Sequence, residues 1–203
     1  AEISNGAYEP TIGPLVDLWN ITGTDEIERD TLPTEEEIKE KMKLVNYKDL
    51  KLMEDNYIYL SKKGMKLDLG GIVKGYAADE IVKIFTAHGV NSAIIDLGGN
   101  LYVLGQKQSG DKWKIAVQDP FNLKGNYIGI LNVKDKSIVT SGNYERYFKF
   151  KGEKYHHIID SKTGYPSKSG ITGISVISDK SIDGDALSTA LFVLGVKEGT
   201  ILI

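Results

Sequence analysis

The stretch Asp68-Leu69-Gly70-Gly71-Ile72-Val73-Lys74-Gly75 constrains this chain more than any other. Before it, Met65-Lys66-Leu67-Asp68 alternates with the period of a strand. After it, Val73, Ala77, Ile81, Ile84 and Phe85 recur at helical spacing, so a helix is expected from about Gly71 to His88, with Gly89 as its stop. A glycine pair at such a changeover lets backbone approach a ligand, with free N–H groups and the positive end of the helix dipole aimed at it. Lys74, one turn in, adds a full charge. Phosphate or pyrophosphate binding is one reading, and a tight strand-to-helix turn is the other. The spacing is neither that of a P-loop nor that of a dinucleotide fingerprint.

Glycine is abundant throughout: 22 residues against 5 prolines in a chain of 203. Average usage would give about 14. Hydrophobic residues at 41% and charged residues at 26% fall in the range of globular domains, and residues 1–203 read as one domain. No apolar run reaches the ~18 residues of a membrane-spanning helix. The net charge of -3 gives no basic footprint for nucleic acid. Cysteine is absent, which excludes disulfides, thiolate metal sites and cysteine nucleophiles.

Further strands are expected at Tyr57–Leu60, Asn91–Leu97, Leu101–Leu104 and Trp113–Val117. Others follow at Tyr127–Val133, Ser137–Thr140, Tyr144–Phe150, Tyr155–Ile159 and Ile171–Ser178. A second helix runs from about Asp183 to Leu194 and ends at Gly195. Many short strands with helices crossing them define an α+β class of largely antiparallel sheets. The highly charged residues 24–43 contain a capping box, Thr34 with Glu37, and read as a solvated surface helix with Ile38, Met42 and Val45 on its apolar side. The chain opens on Ala1-Glu2-Ile3-Ser4-Asn5-Gly6, with no secretory signal pattern. It closes on Thr200-Ile201-Leu202-Ile203, which resembles the start of a strand, and both ends are expected to be cut.

Four more segments could carry chemistry. Asp96-Leu97-Gly98-Gly99-Asn100 is a hairpin turn or a ligand-facing one. Ser141-Gly142-Asn143-Tyr144-Glu145-Arg146-Tyr147 suits a flat ligand ring or an ordinary strand start. In Tyr155-His156-His157-Ile158-Ile159-Asp160, strand alternation lets only one histidine face a site, as a general base or as a structural group. In Ser181-Ile182-Asp183-Gly184-Asp185-Ala186-Leu187-Ser188-Thr189, Asp185 and Thr189 share a helix face with Ser188 beside them. That oxygen set suits Mg²⁺, while N-capping accounts for one aspartate.

Together these segments, with Ala7-Tyr8-Glu9-Pro10-Thr11-Ile12-Gly13-Pro14-Leu15-Val16-Asp17-Leu18-Trp19 and Gly75-Tyr76-Ala77-Ala78-Asp79, resemble the ApbE-type FAD:protein FMN transferases. They occur in that family's order over almost the whole chain. The resemblance implies an ApbE-like, T-fold-like architecture and a reaction. FMN moves from FAD to a threonine or serine hydroxyl of an acceptor protein, Mg²⁺ assists, a phosphoester forms and AMP leaves. It places FAD contacts on Ala7, Tyr8, Glu9, Asp68, Lys74 and Ile159. It places metal ligands on Gly71 (backbone carbonyl), Asp185 and Thr189, with Ser188 beside them, and makes His157 and Asp185 the catalytic candidates.

The implied partner is a protein with a flavinylation motif, a redox-pump subunit or similar flavoprotein. The implied location is outside the cytoplasm, in a membrane-anchored lipoprotein. Tyr8-Glu9 stands where Phe-Asp is common, and Ser161 replaces a frequent proline. The chain has no Asp-Gly-x-Thr-Gly-Ala-Thr acceptor motif of its own. The family's strand regions before Ala1 and after Ile203 are missing, including flavin contacts in the first. Two other functions fit the same residues: a pyrophosphatase splitting FAD into FMN and AMP, and a flavin-binding protein without turnover.

Overall fold

The computed structural model describes residues 1–22, 27–122 and 125–203. Its helices are α1 (Gly13–Trp19), α2 (Glu35–Met42), α3 (Val73–Ala87) and α4 (Ser181–Leu202). Its strands are β1 (Ile27–Glu28), β2 (Leu50–Leu52), β3 (Ile58–Leu60), β4 (Ser92–Asp96), β5 (Asn100–Gly105) and β6 (Trp113–Gln118). The remaining strands are β7 (Tyr127–Val133), β8 (Lys136–Gly142), β9 (Tyr147–Phe150), β10 (Glu153–His156) and β11 (Gly173–Ser178). Every described strand pairing is antiparallel except that of β1 with β9. The α+β expectation therefore holds. The chain forms two compact units, the first from 1–69, 143–171 and 189–203, the second from 70–142 and 172–188.

The first unit is built around Trp19, which is fully buried with Leu15, Ile38 and Phe148 close to it in the core. Trp19 stacks on Tyr155 at 5.7 Å and meets Tyr165 edge-on at 5.6 Å, while Phe148 stacks on Tyr155 at 5.4 Å. The Trp19 Nε1–H donates to the Gly164 carbonyl at 2.8 Å, which satisfies the indole and pins the turn after Asp160. Gly164 has φ +76°, and a Cβ there would lie 2.5 Å from Ile38 Cγ2, so this corner admits only glycine. The three-stranded sheet β1-β9-β10 and the hairpin β2-β3 belong to this unit. The capping box of α2 is present: Thr34 Oγ1 accepts from Glu37 N–H, and Glu37 accepts from Thr34 N–H. Ile38 supplies its buried contact, and Met42 and Val45 pack on the same core. Residues 24–26 of that charged stretch lie outside the described residues.

The second unit is the four-stranded sheet β11-β8-β5-β4 with α3 on it, beside the hairpin β6-β7. Ala78 of α3 is buried against Ile95 and Tyr102, with Ile81, Val82 and Phe85 around them. Trp113, Ile115 and Val117 turn inward along β6 while their neighbours face out, which is the alternation read from the sequence. Val103, Val133 and Ile138 are buried beneath them.

The structure corrects several expectations. Met65–Asp68 is not a strand: it makes one isolated parallel bridge, Lys66 with Ile12, and the Asp68 N–H donates to the Pro10 carbonyl. Its alternation reflects this pairing with irregular chain, not a sheet ladder. α3 starts at Val73, not Gly71, because Gly70 to Ile72 form the turn. Strand β9 starts at Tyr147, since Asn143 to Arg146 turn, and β10 ends at His156. Gly195, at φ 76° and ψ 177°, breaks the helical backbone where the sequence placed the stop, and a further helical segment follows it to Leu202. Residues 200–202 are helical, not a strand start: β-branched residues yield here to a helix already under way. Helix α1 carried no clear periodic signal in the sequence.

Candidate functional site

In the second unit, the residues around Gly71 converge on two helix ends. Helix α3 has Ile72 at its N-cap and no side-chain cap. Its first-turn amides therefore lack a local partner. Asp185, from the first turns of α4, supplies one: its Oδ2 accepts from Gly75 N–H at 2.7 Å. Gly75 makes the approach possible, because a Cβ there would lie 2.5 Å from the Ser181 carbonyl oxygen and 2.8 Å from Asp185 Cβ. Asp185 is 4% exposed. Burial pushes its carboxyl above the usual value, while the Gly75 N–H, the Lys74 ammonium and the Asn100 amide favour its charged form. The net shift is upward.

Lys74 Nζ donates to the Gly98 carbonyl at 2.5 Å. The Gly98-Gly99 pair, at φ +63° and +84°, is thus both the hairpin turn between β4 and β5 and the acceptor that aims Lys74. Ser188 Oγ donates to the Asp185 carbonyl at 2.9 Å, so the Ser141 hydroxyl, 2.8 Å away, donates to Ser188. That leaves the Ser188 oxygen one further lone pair. Gly71 lies in the turn just before α3. Carboxylate, hydroxyl and backbone carbonyl are hard-oxygen donors, and this set fits Mg²⁺. Among the described residues no group of three or more His, Asp or Glu could hold a metal ion, so a cation here would need hydroxyls and carbonyls beside the Asp185 carboxylate. Thr189 lies four positions after Asp185 in the same helix.

Sequence reasoning missed Asn100 and Asp79 as members of this arrangement. Asn100 is fully buried, and its Oδ1 accepts from Ser181 Oγ at 2.6 Å, which turns the Nδ2 end of the amide away from that hydroxyl. Ser137 Oγ donates to Ser181 Oγ at 2.9 Å. Asp79 accepts from Ser181 N–H at 2.8 Å and Ile182 N–H at 3.0 Å. The only signal was their place in the quoted segments: Asn100 closes the Gly98-Gly99 turn, and Asp79 lies on the polar side of the helix pattern.

The first unit holds the other candidates. Ala7 and Tyr8 are buried in a compact N-terminal turn, where Ser4 Oγ accepts from Tyr8 N–H at 3.0 Å. Glu9 is buried with its carboxylate committed to protein donors: Thr11 N–H at 2.9 Å, Thr11 Oγ1 at 2.7 Å and Tyr47 N–H at 2.9 Å. Asp68 is tied by its N–H to Pro10, so the Tyr8 segment and Asp68 run side by side. Ile159 is buried in the Trp19 core.

Strand β10 ends between the two histidines. His156 is buried, with Nε2 2.9 Å from the Ser167 carbonyl, Nδ1 accepting from Ile158 N–H at 3.3 Å, and its ring edge-on to Phe192 at 5.4 Å. His157 is partly exposed, and its Nδ1 lies 3.2 Å from the Arg146 carbonyl. A carbonyl only accepts, so Nδ1 carries the proton and Nε2 the lone pair of the neutral ring.

The class defined by this fold is one with solved members. The ApbE protein of Thermotoga maritima superposes with a TM-score of 0.88 at 37% identity, over 100% of this chain and 64% of that one. The flavin transferase ApbE of Vibrio cholerae gives 0.85 at 28% identity, over 99% and 63%. Among curated proteins, the FAD:protein FMN transferase of Treponema pallidum is 39% identical over 218 residues, covering 100% of this chain and 59% of the relative. That of Klebsiella pneumoniae is 38% identical, covering 97% and 60%. The model of the ApbE family matches residues 1–203, and the chain belongs to that family. It spans about three fifths of the length of these curated relatives.

Proposed function

We propose that the protein transfers FMN from FAD to a threonine or serine hydroxyl of an acceptor protein, with Mg²⁺ bound and AMP released. Family membership and the activity for which the relatives are named support the transfer. The observation that carries it is the buried Asp185 carboxylate seated on the glycine-opened start of α3, with Lys74 in the same turn. The acceptor oxygen attacks the FMN phosphorus, the bond from that phosphorus to the bridging oxygen breaks, and AMP takes that oxygen. The Nε2 lone pair of His157 receives the hydroxyl proton. Lys74 offsets negative charge on the phosphoryl oxygens. Gly71, Asp185, Ser188 and Thr189 would hold Mg²⁺, which supplies further charge neutralisation on those oxygens when bound. Ala7, Tyr8, Asp68 and Ile159 are the proposed flavin-side contacts. Glu9 serves them through its backbone, since its carboxylate is committed to Thr11 and Tyr47. The acceptor is a flavinylated redox protein, and the proposed location is extracytoplasmic, on a lipid anchor; no helix among the described residues is long and apolar enough to cross a membrane.

The test is incubation with FAD and Mg²⁺, with and without an acceptor domain. A covalently fluorescent acceptor is the expected result. AMP released without acceptor makes the protein a pyrophosphatase, and bound flavin with neither product makes it a binding protein.

A further inference from the structure

We infer that Asp79 is a positioning residue for Asp185, acting through the first turn of α4. The inference rests on the proposed function only for the use made of Asp185. Both helices lack a cap of their own. Ile72, at the N-cap of α3, offers no acceptor, and Lys180, just before α4, has a side chain that only donates. Each helix instead takes a carboxylate from the other. Asp79 of α3 accepts from Ser181 and Ile182, the residues that open α4. Asp185 of α4 accepts from Gly75 in the first turn of α3. The contact is closed, because Gly75 leaves no room between the two backbones. Asp185 is therefore held both by its own hydrogen bonds, that to Gly75 among them, and by the bonds that fix the turn from which it projects. Asn100 and Ser137 hold the Ser181 hydroxyl from the sheet side.

In Asp79→Asn the shape is kept, but one amide of α4 meets an NH₂ group instead of an oxygen. The turn loosens, and Asp185 loses its fixed place over α3. The readout is hydrogen exchange of the Gly75 amide, which has no backbone acceptor in a first turn and is protected through Asp185. Asp79→Asn is expected to speed Gly75 exchange about tenfold, the size of one ordinary net hydrogen bond. Val103 and Val139 in the sheet keep their protection. In turnover with FAD and Mg²⁺, kcat falls about tenfold or more while KM for FAD stays near its original value. Asp79→Glu, which retains two acceptor oxygens, restores part of both, and it replaces Asp79→Asn if that variant does not fold. Wild-type exchange at Gly75 alongside faster exchange at Ser181 and Ile182 would overturn the inference and make Asp79 a local cap only. Absence of turnover in the wild type would overturn the functional reading, while the Gly75 measurement still decides the role of Asp79.

Discussion

His156 and His157 are adjacent in the chain and opposite in environment. His156 is buried, hydrogen-bonded at both ring nitrogens and packed on Phe192. His157 follows the last residue of β10, is partly exposed and keeps Nδ1 on the Arg146 carbonyl. The chain thus gives one imidazole to the core and leaves the other partly exposed at the strand end.

His157→Ala is expected to lower the rate of transfer by about 10²–10⁴-fold. FAD affinity should change far less. Steady-state kinetics with an acceptor domain, alongside flavin binding by fluorescence, separates the two, and equal losses would move His157 to a binding role.

Acidification should destabilise the fold through His156. Burial holds its pKa below the ordinary 6.5. Below about that pH the unfolded ring takes a proton that the native ring does not. Stability is intact above it and falls as pH drops through the depressed native value. Thermal melts at pH 7, 6 and 5 should show this decline, and His156→Gln should flatten it. An unchanged slope in that variant would assign the acid sensitivity elsewhere.

Asp185→Ala is expected to cut Mg²⁺-dependent turnover by about a hundredfold or more. Activity retained in Mg²⁺ would remove Asp185 from the ligand set.

Gly75→Ala places a methyl group 2.5 Å from the Ser181 carbonyl oxygen and 2.6 Å from Ile182 Cα. Overpacking of this kind costs about 1–3 kcal/mol. The melting temperature should fall and turnover with it, because the same methyl group separates Asp185 from α3. A variant with native stability and activity would show that the two helix ends have slack.

Thr34→Ala removes the cap of α2 and should cost about 1 kcal/mol in denaturant unfolding. Turnover should be unchanged, since α2 serves the Trp19 core. A parallel loss of activity would tie this helix to the site.

What was legible in the sequence was local. The capping box of Thr34 and Glu37 spans a single turn, and the alternation of Trp113, Ile115 and Val117 spans one strand. Both appear as read, because the interactions that fix them lie within a few residues. Met65–Asp68 and Thr200–Leu202 failed for the complementary reason. Their strand-like composition had no sheet partner in the first case, and in the second it was overridden by the helix before it. Of the site, the Gly70-Gly71 turn, Lys74 and Asp185 were visible as residue types at telling positions, and the family resemblance tied them together. Asn100 looked like the end of a turn and Asp79 like an ordinary helix-surface carboxylate.

By itself, then, the sequence determined the α+β class, the glycine-opened helix and, from having no cysteine, the exclusion of thiol chemistry. Tertiary structure decided which carboxylate meets which amide. Gly75 and Asp185 are 110 residues apart, and Asp79 and Ser181 are 102 apart. No local periodicity encodes a bond over that distance. It exists because two uncapped helix ends were packed close enough, at a residue without a side chain, for each to satisfy the other.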